Sequence, residues 1–165
     1  MVRPRIFRIW SIVTVLIASA SACVPVHAGL PDIYPAAGQA KSDLAAALAA
    51  SAVNHKRVIL DFGGNWCPDC HVLERYLHDS ANAPILEDNY ILVHVNVGRL
   101  NENLEIAERY QIPLRKGVPA LAVLGEGGEL LHSQKTGEFQ AMRAMQSSSV
   151  TDFLTYWKPP IAGRV

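Results

Sequence analysis

The feature that most constrains the fold is an apolar strand that runs through a glycine turn into a helix carrying two cysteines. Residues 57–62 are Arg-Val-Ile-Leu-Asp-Phe, a β-branched and apolar run that predicts a buried strand. Gly63 and Gly64 follow, and then the sequence Cys67-Pro68-Asp69-Cys70. Because proline suits the first turn of a helix, where its missing N–H has no partner to lose, Pro68 places a helix start beside Cys67.

Apolar periodicity extends this unit into a series of alternating helices and strands. We predict helices over 39–53, 68–80, 103–110 and 150–157, a further turn after Pro84, and strands over 90–97, 120–124 and 129–133. The glycine-rich residues 125–128 predict a hairpin between the last two strands. The fold class is therefore α/β, a mixed four- to five-stranded sheet with helices on both faces. We also expect Ser42 or Asp43 to cap the first helix, and Leu104, Ala107 and Ile106 to face inward.

The N-terminus has the pattern of a secretory signal peptide. Arg3, Arg5 and Arg8 precede the apolar residues 9–22, a run shorter than the roughly 20 residues that a membrane-spanning helix needs. The small residues around Ala28 predict cleavage after that position. We therefore divide the chain into a signal peptide, an extended lead-in, a folded domain and a tail, at residues 1–28, 29–40, 41–158 and 159–165.

Two alternatives to simple cleavage stay open. The apolar run could remain as an uncleaved membrane anchor. Residues 20–23, Ala-Ser-Ala-Cys, loosely resemble a lipobox, in which Cys23 would carry a lipid and anchor the exported protein.

The charge balance excludes several classes of protein. Fifteen basic residues balance 15 acidic ones, and 50% of the chain is hydrophobic. These values exclude a strongly basic nucleic-acid binder and a disordered chain. Because the signal peptide contains three arginines and no acid, its removal leaves a mildly acidic protein.

The two neighbouring cysteines form the candidate redox site. Unpaired amides and the helix dipole at a helix N-terminus stabilise a thiolate, so the pKa of Cys67 should fall from about 8.5 toward 7 or less. Cys67 is the candidate nucleophile, and Cys70, on the same helical turn, is the candidate resolving thiol. Pro68 and Asp69 tune this pKa, since the charge of Asp69 opposes the dipole and favours a more reducing pair. Asp69 is equally well explained as an ordinary acid at a helix start.

Four sequence elements together resemble the thioredoxin superfamily. They are Asp61-Phe62 before the cysteines, Trp66 directly next to them, the Cys67–Cys70 pair, and Gly117-Val118-Pro119 at the start of a later strand. The resemblance covers roughly residues 58–157 and implies a thioredoxin-like fold.

The resemblance also implies roles for individual residues. Asp61 matches the buried acid that accepts the proton of the resolving cysteine through water, and Pro119 matches a cis-proline that lies against the disulfide. The backbone of Val118 would then pair with a substrate strand. Trp66 would shape the docking surface, although core packing explains it equally well.

The run Trp66-Cys67-Pro68-Asp69-Cys70-His71 is most similar to two groups within the superfamily. One is the C-terminal periplasmic domain of the transmembrane disulfide reductase of Gram-negative envelopes, and the other comprises small Trp-Cys-Pro-Asp-Cys thioredoxin-related proteins. The likeness implies a periplasmic, monomeric protein-disulfide reductase that acts on protein disulfides without a cofactor, a metal or nucleic acid, supplied by a membrane thiol reductant. His94 departs from the cytosolic pattern, in which a lysine commonly lies near the buried acid.

Other classes of function compete with this interpretation. Cys67-x-x-Cys70-His71 also matches the attachment motif of c-type haem. A thioredoxin-like binding module without turnover is a further alternative. A structural zinc site is disfavoured because it needs four ligands, and the mature chain has two cysteines and no histidine pair at finger spacing. The direction of electron flow stays open, although Asp69 and the resemblance favour a reductase.

Overall fold

The computed structural model describes residues 31–160 of the 165 in the chain. The predicted signal peptide, its cleavage position after Ala28 and the lipobox cysteine Cys23 lie outside the described residues. Between residues 31 and 160, no helix has both the length and the hydropathy that crossing a membrane would require.

The described residues form five α-helices and four β-strands. The helices are α1 (Ala40–Asn54), α2 (Pro68–Leu77), α3 (Ala83–Asn89), α4 (Leu104–Arg109) and α5 (Ser148–Trp157), and the strands are β1 (Arg57–Gly63), β2 (Tyr90–Asn96), β3 (Ala120–Leu124) and β4 (Leu130–Ser133). Three short 3₁₀ turns occupy Ala37–Gln39, Leu114–Lys116 and Met142–Ala144.

The strands form one mixed sheet with the order β2-β1-β3-β4. β1 pairs in parallel with β2 and antiparallel with β3, and β3 pairs antiparallel with β4. Buried residues of α1 and α4 pack on one face, while those of α2, α3 and α5 pack on the other. The predicted α/β fold with helices on both faces is confirmed, with four strands in the described part of the chain.

The central strand β1 explains why the site lies where it does. From Val58 to Gly63 every residue of β1 is buried, because the strand has neighbours on both edges and helices over both faces. Its only ionisable residue in that run, Asp61, is therefore completely buried. The carboxyl end of β1 leads directly to the cysteine loop, so Asp61 lies on the strand that positions the cysteines.

Two local predictions are wrong. The Ala37–Gln39 turn runs straight into α1, so the helix begins at Ala40 without a side-chain cap, and the hydroxyl of Ser42 donates instead to the Gln39 carbonyl. Leu104 is 48% exposed, whereas Ala107 is buried. α4 has only six residues and follows Asn103 in a left-handed conformation, which turns its first residue outward.

Candidate redox site

The two cysteines lie at the junction between the sheet and α2. Cys67 is the residue that precedes α2, in extended conformation, and Pro68 is the first helical residue. Cys67 and Cys70 are joined as a disulfide, with their Cα atoms 5.3 Å apart. The backbone N–H of Cys70 donates to Cys67 Sγ over 3.2 Å. The same N–H also donates to the Cys67 backbone oxygen over 3.1 Å, so it is shared between that oxygen and the sulfur, and the helix start directs positive charge at Cys67 Sγ.

Both sulfur-bearing residues are shielded from solvent. Cys67 is 3% exposed, and Cys70 is fully buried. Cys70 is the deeper of the two, but Cys67 is also more covered than its place at a helix start suggests. The cover comes from Val118, whose carbonyl oxygen lies 3.6 Å from Cys67 Sγ.

The segment before β3 forms one wall of the site. The peptide bond between Val118 and Pro119 is cis, and both residues are buried. Cys67 and Val118 are 51 residues apart in the sequence, and the antiparallel pairing of β1 with β3 brings them together. The sheet therefore brings the two parts of the sequence motif together.

Trp66 forms the exposed rim beside the cysteines. Its side chain is 39% exposed, and its indole N–H donates to the carbonyl of Gly98 after β2. The guanidinium of Arg99 lies 5.2 Å from the centre of the indole ring, at cation–π distance. Trp66 thus packs on one side and presents an apolar surface to solvent next to Cys67.

Asp61 lies behind the disulfide in a cluster of polar side chains. Its Oδ2 accepts a hydrogen bond of 2.6 Å from the Tyr34 hydroxyl and lies 3.0 Å from His94 Nδ1. Asp61 and His94 are register partners on β1 and β2. On the other edge of the imidazole, Nε2 lies 3.4 Å from a carboxylate oxygen of Glu74. The His94 ring therefore bridges two carboxylates.

The cluster perturbs the acid–base behaviour of two of its members. Burial of the His94 ring disfavours the cation, but the hydrogen bond and charge of Asp61, together with the charge of Glu74, outweigh it and raise the pKa of His94. Burial, reinforced by the neighbouring Asp61, holds the pKa of Tyr34 well above its ordinary value. Tyr34 therefore remains a neutral hydroxyl.

Tyr34 and the residues that hold it were not found by sequence reasoning. The side chain of Asn65 accepts from the backbone N–H groups of Ile33 and Tyr34, at 2.9 and 2.8 Å, and donates to the Tyr34 carbonyl. This clamp ties the lead-in to the cysteine loop, so Tyr34 is only 2% exposed. An aromatic residue between Pro31 and Pro35 was the one available signal.

Asp69 is paired with a residue that is distant in the sequence. Its carboxylate accepts from the backbone N–H of Arg143 over 2.9 Å and lies 3.1 Å from Arg143 Nε. Since 64% of the Arg143 side chain is exposed, water screens much of this pair. The charge of Asp69 is thus only partly balanced at the start of α2.

His71 is turned toward the cysteine loop. Its Nε2 lies 2.8 Å from the backbone oxygen of Asn65, and the side chain is half-buried. Elsewhere in the described residues, His55 pairs with Glu126, and the His132 ring stacks on Trp157. In the part of the chain from residue 31 to residue 160, no three His, Cys, Asp or Glu side chains cluster as metal ligands would.

The ion pair of His94 predicts a pH-dependent contribution to stability. The folded-state pKa of His94 is raised, so its contribution is fully present below the ordinary value of about 6.5 and is lost as pH rises through the folded pKa. Urea unfolding of the oxidised protein should be measured from about pH 5.5 to 9. The free energy of unfolding of wild type should exceed that of His94→Gln by less as the pH increases.

His132 provides a matched control, for which the pH dependence of stability should have the opposite sign. Burial is the main cause that lowers the pKa of His132, so its charging on acidification disfavours the folded state. The stability difference between wild type and His132→Gln should grow with rising pH. Parallel pH profiles for the two variants would contradict both assignments.

A family model described as thioredoxin-like matches residues 39–125. The chain belongs to the thioredoxin-like family. The crystal structure of a disulphide isomerase from Xylella fastidiosa Temecula1 superposes on it with a TM-score of 0.73 and 31% identity, over 77% of this chain and 97% of that one. A thioredoxin from Thermus thermophilus shares the fold at a TM-score of 0.51 and 22% identity, over 68% and 81% of the two chains.

A curated relative is a thiol:disulfide interchange protein. The thiol:disulfide interchange protein DsbD 2 of Pseudomonas aeruginosa is 27% identical over 113 residues, which cover 67% of this chain. The matched part is 17% of the length of that relative, so this chain corresponds to a small portion of it. Together the fold, the cysteine pair and these relatives support a thiol–disulfide oxidoreductase.

Proposed function

We propose that this protein is an exported thiol–disulfide oxidoreductase that reduces protein disulfides, with Cys67 as the nucleophile and Cys70 as the resolving thiol. The observation that carries the proposal is the position of Cys67 Sγ, which accepts the Cys70 amide at the start of α2. Such a position favours the thiolate, the form of cysteine that attacks a disulfide.

The reaction has two exchange steps. The Cys67 thiolate attacks one sulfur of a substrate disulfide, the substrate S–S bond breaks, and the released sulfur takes up a proton. Cys70 then gives up its proton and attacks Cys67 Sγ, which restores the intramolecular disulfide and frees the second substrate thiol. Asp61 is the proposed proton acceptor for Cys70, since it is the buried carboxylate on the strand that leads to the cysteine loop.

The docking surface is proposed to lie between Trp66 and Val118. Val118 offers backbone groups next to Cys67 Sγ, and Pro119 fixes their position at the start of β3. An extended substrate segment pairing with this backbone would gain affinity with little sequence preference. Trp66 supplies an exposed apolar surface at the edge of the same site.

Insulin reduction by dithiothreitol tests the function. The oxidoreductase should accelerate precipitation of the insulin B chain in proportion to its concentration. A protein with two free thiols and no rate above background would be the thioredoxin-like binding module instead.

Asp69 is proposed to make the couple more reducing, which sets the preferred direction. Asp69→Asn removes the negative charge near Cys67 with little change in shape, so the thiolate becomes more stable and the potential should rise by about 20 mV. Asp69→His should shift it in the same direction. Equilibration with glutathione measures the potential, and an unchanged or lower value would contradict this role.

Arg143→Gln is the complementary variant for this test. It removes the cation beside Asp69 and leaves the carboxylate unbalanced, so the potential should fall. The change should be smaller than that of Asp69→Asn because solvent already screens Arg143.

The haem alternative fits the site poorly. Haem attachment would use both sulfurs and the imidazole of His71, but Cys70 is fully buried and His71 is engaged with the Asn65 carbonyl. A Soret band in the purified protein would nevertheless establish haem attachment.

The proposed location is the periplasm. The support is the signal-peptide pattern of the sequence and the likeness to an interchange protein, and a membrane thiol reductant is the proposed electron donor to a monomeric protein. Mass determination of the mature N-terminus would separate cleavage after Ala28 from lipid attachment at Cys23.

A further inference from the structure

The cluster around Asp61 contains a residue that the thioredoxin-like family match does not cover. That match begins at residue 39, whereas Tyr34 belongs to the lead-in that precedes it. Even so, Tyr34 is buried, is clamped at its backbone by Asn65, and donates its hydroxyl proton to Asp61. The lead-in thus places a hydroxyl group in the interior of the site.

The Tyr34 hydroxyl faces the resolving cysteine across Gly63. A Cβ atom added to Gly63 would clash with the Tyr34 hydroxyl and would come within 2.7 Å of Cys70 Sγ. The glycine therefore leaves the hydroxyl and the sulfur next to each other, with no side chain between them. The Tyr34 hydroxyl thus lies near Cys70 Sγ while it donates its hydrogen bond to Asp61.

His94 connects the same cluster to a second surface of the protein. Its side chain is 18% exposed and lines a cleft of about 440 Å³ between α1 and β2, together with Pro35, Asp43 and Ala47. The cleft lies at the β2 edge of the sheet, and neither Trp66 nor Val118 lines it. A substrate bound at the proposed docking surface would leave this cleft open.

We propose that Tyr34 relays the proton of Cys70 to Asp61 and that His94 links Asp61 to solvent in the cleft. This inference rests on the proposed thiol–disulfide exchange. The exchange requires a path by which the Cys70 proton leaves, because Cys70 is fully buried. A docked substrate would cover the Cys67 side of the disulfide.

The relay couples proton transfer to the second exchange step. In the mixed disulfide, the Cys70 thiol gives its proton to the Tyr34 oxygen while the Tyr34 hydroxyl proton moves to Asp61 Oδ2. The Cys70 thiolate attacks Cys67 Sγ, the Cys67–Cys70 bond forms, and the bond to the substrate sulfur breaks. The substrate sulfur leaves with the electron pair and is reduced, while the two cysteines are oxidised. Asp61 then passes its proton to Nδ1 of a neutral His94, which releases one to water.

The charged surroundings support this assignment. Tyr34 of the lead-in and His94 of β2 both contact Asp61. Glu74 of α2 faces the far side of the His94 ring, and Asp43 of α1 lines the cleft. The raised pKa of Tyr34 means that its hydroxyl transmits a proton without remaining ionised. The raised pKa of His94 makes its neutral ring, present above that pKa, a better proton acceptor from Asp61.

Stopped-flow reaction of the reduced full-length protein with 5,5′-dithiobis(2-nitrobenzoate) tests the relay. The first coloured thiolate reports attack by Cys67, and the second reports resolution by Cys70. In Tyr34→Phe the second phase should be slowed about tenfold near pH 6 to 7 and should approach the wild-type rate as the pH rises, because hydroxide then competes with the relay as a proton acceptor. The first phase should be unchanged. His94→Gln should slow the second phase above the raised pKa of His94, where the wild-type ring is neutral and can accept a proton.

Tyr90→Phe is the matched control. Tyr90 is also a buried tyrosine, 4% exposed, and its hydroxyl donates to the Leu154 carbonyl over 2.7 Å at the opposite end of β2. Its removal should leave both phases unchanged.

Several outcomes would overturn the relay. One is a second phase in Tyr34→Phe whose rate depends on pH as in wild type. Another is equal slowing of both phases at every pH. If Tyr34→Phe fails to fold by circular dichroism, the pH profile of His94→Gln decides, and an unshifted profile refutes the proposal. If wild type itself releases only the first thiolate, the proposed exchange function fails, and the relay fails with it.

Discussion

Replacing Cys67 with serine is expected to reduce insulin reduction to the uncatalysed background. A serine hydroxyl does not attack disulfides, and the helix start that stabilises a thiolate has no thiolate to act on. The fold should survive, because the four-residue ring closed by the disulfide restricts the unfolded chain little. Insulin turbidity measures the activity, and thermal unfolding of the reduced proteins measures the fold.

Cys70→Ser is the matched variant, with a different expected result. Cys67 can still attack, but the mixed disulfide has no resolving thiol, so substrates should remain covalently attached to Cys67. Non-reducing electrophoresis should show adducts that dithiothreitol removes, and mass spectrometry would identify the trapped proteins. Adducts that formed equally on Cys67→Ser would assign the nucleophile to Cys70 and reverse the proposed roles.

Gly63→Ala is expected to destabilise the protein by about 1 to 3 kcal/mol, the usual cost of an overpacked core. The added Cβ would lie 2.6 Å from the Tyr34 ring and 2.7 Å from Cys70 Sγ. Neither neighbour can move easily, since Asn65 holds the Tyr34 backbone and the disulfide holds Cys70. Urea unfolding of the oxidised protein measures the loss, and the resolution step should slow as well because the Tyr34 hydroxyl is displaced.

Gly38→Ala is the control for the loss of a glycine. A Cβ at Gly38 meets nothing within 4 Å, so this variant should be neutral or stabilised by up to about 1 kcal/mol through the unfolded state. A double variant sharpens the test. Gly63→Ala should cost less in a Tyr34→Phe background, where one of the clashing atoms is absent. Equal costs for Gly63→Ala and Gly38→Ala would show that the space around Gly63 is not limiting.

The cysteine unit was predictable because its signals are local. The apolar run of β1, the glycine turn and Pro68 each constrain the backbone within a few residues, so the strand and helix follow from steric and burial preferences alone. The predicted cap of α1 and the predicted inward orientation of Leu104 were wrong because neighbouring segments set the start of each helix: the Ala37–Gln39 turn runs into α1, and Asn103 adopts a left-handed conformation before α4.

The cluster behind the disulfide could not be predicted in full. Asp61 was selected through a resemblance, but its contacts with Tyr34 and His94 join residues 27 and 33 positions apart. The Asp69–Arg143 pair spans 74 residues. Sequence periodicity carries no information on which distant polar side chains share one buried site.

The sequence by itself determined the α/β order of elements and the placement of two cysteines at a helix start, because backbone preferences and apolar patterning act over short distances. Only the tertiary structure decided what surrounds them. Parallel pairing of β1 with β2 set His94 beside Asp61, and the folding back of the lead-in set the Tyr34 hydroxyl on the same carboxylate. A buried carboxylate requires partners, and packing, rather than local preference, selects which residues supply them.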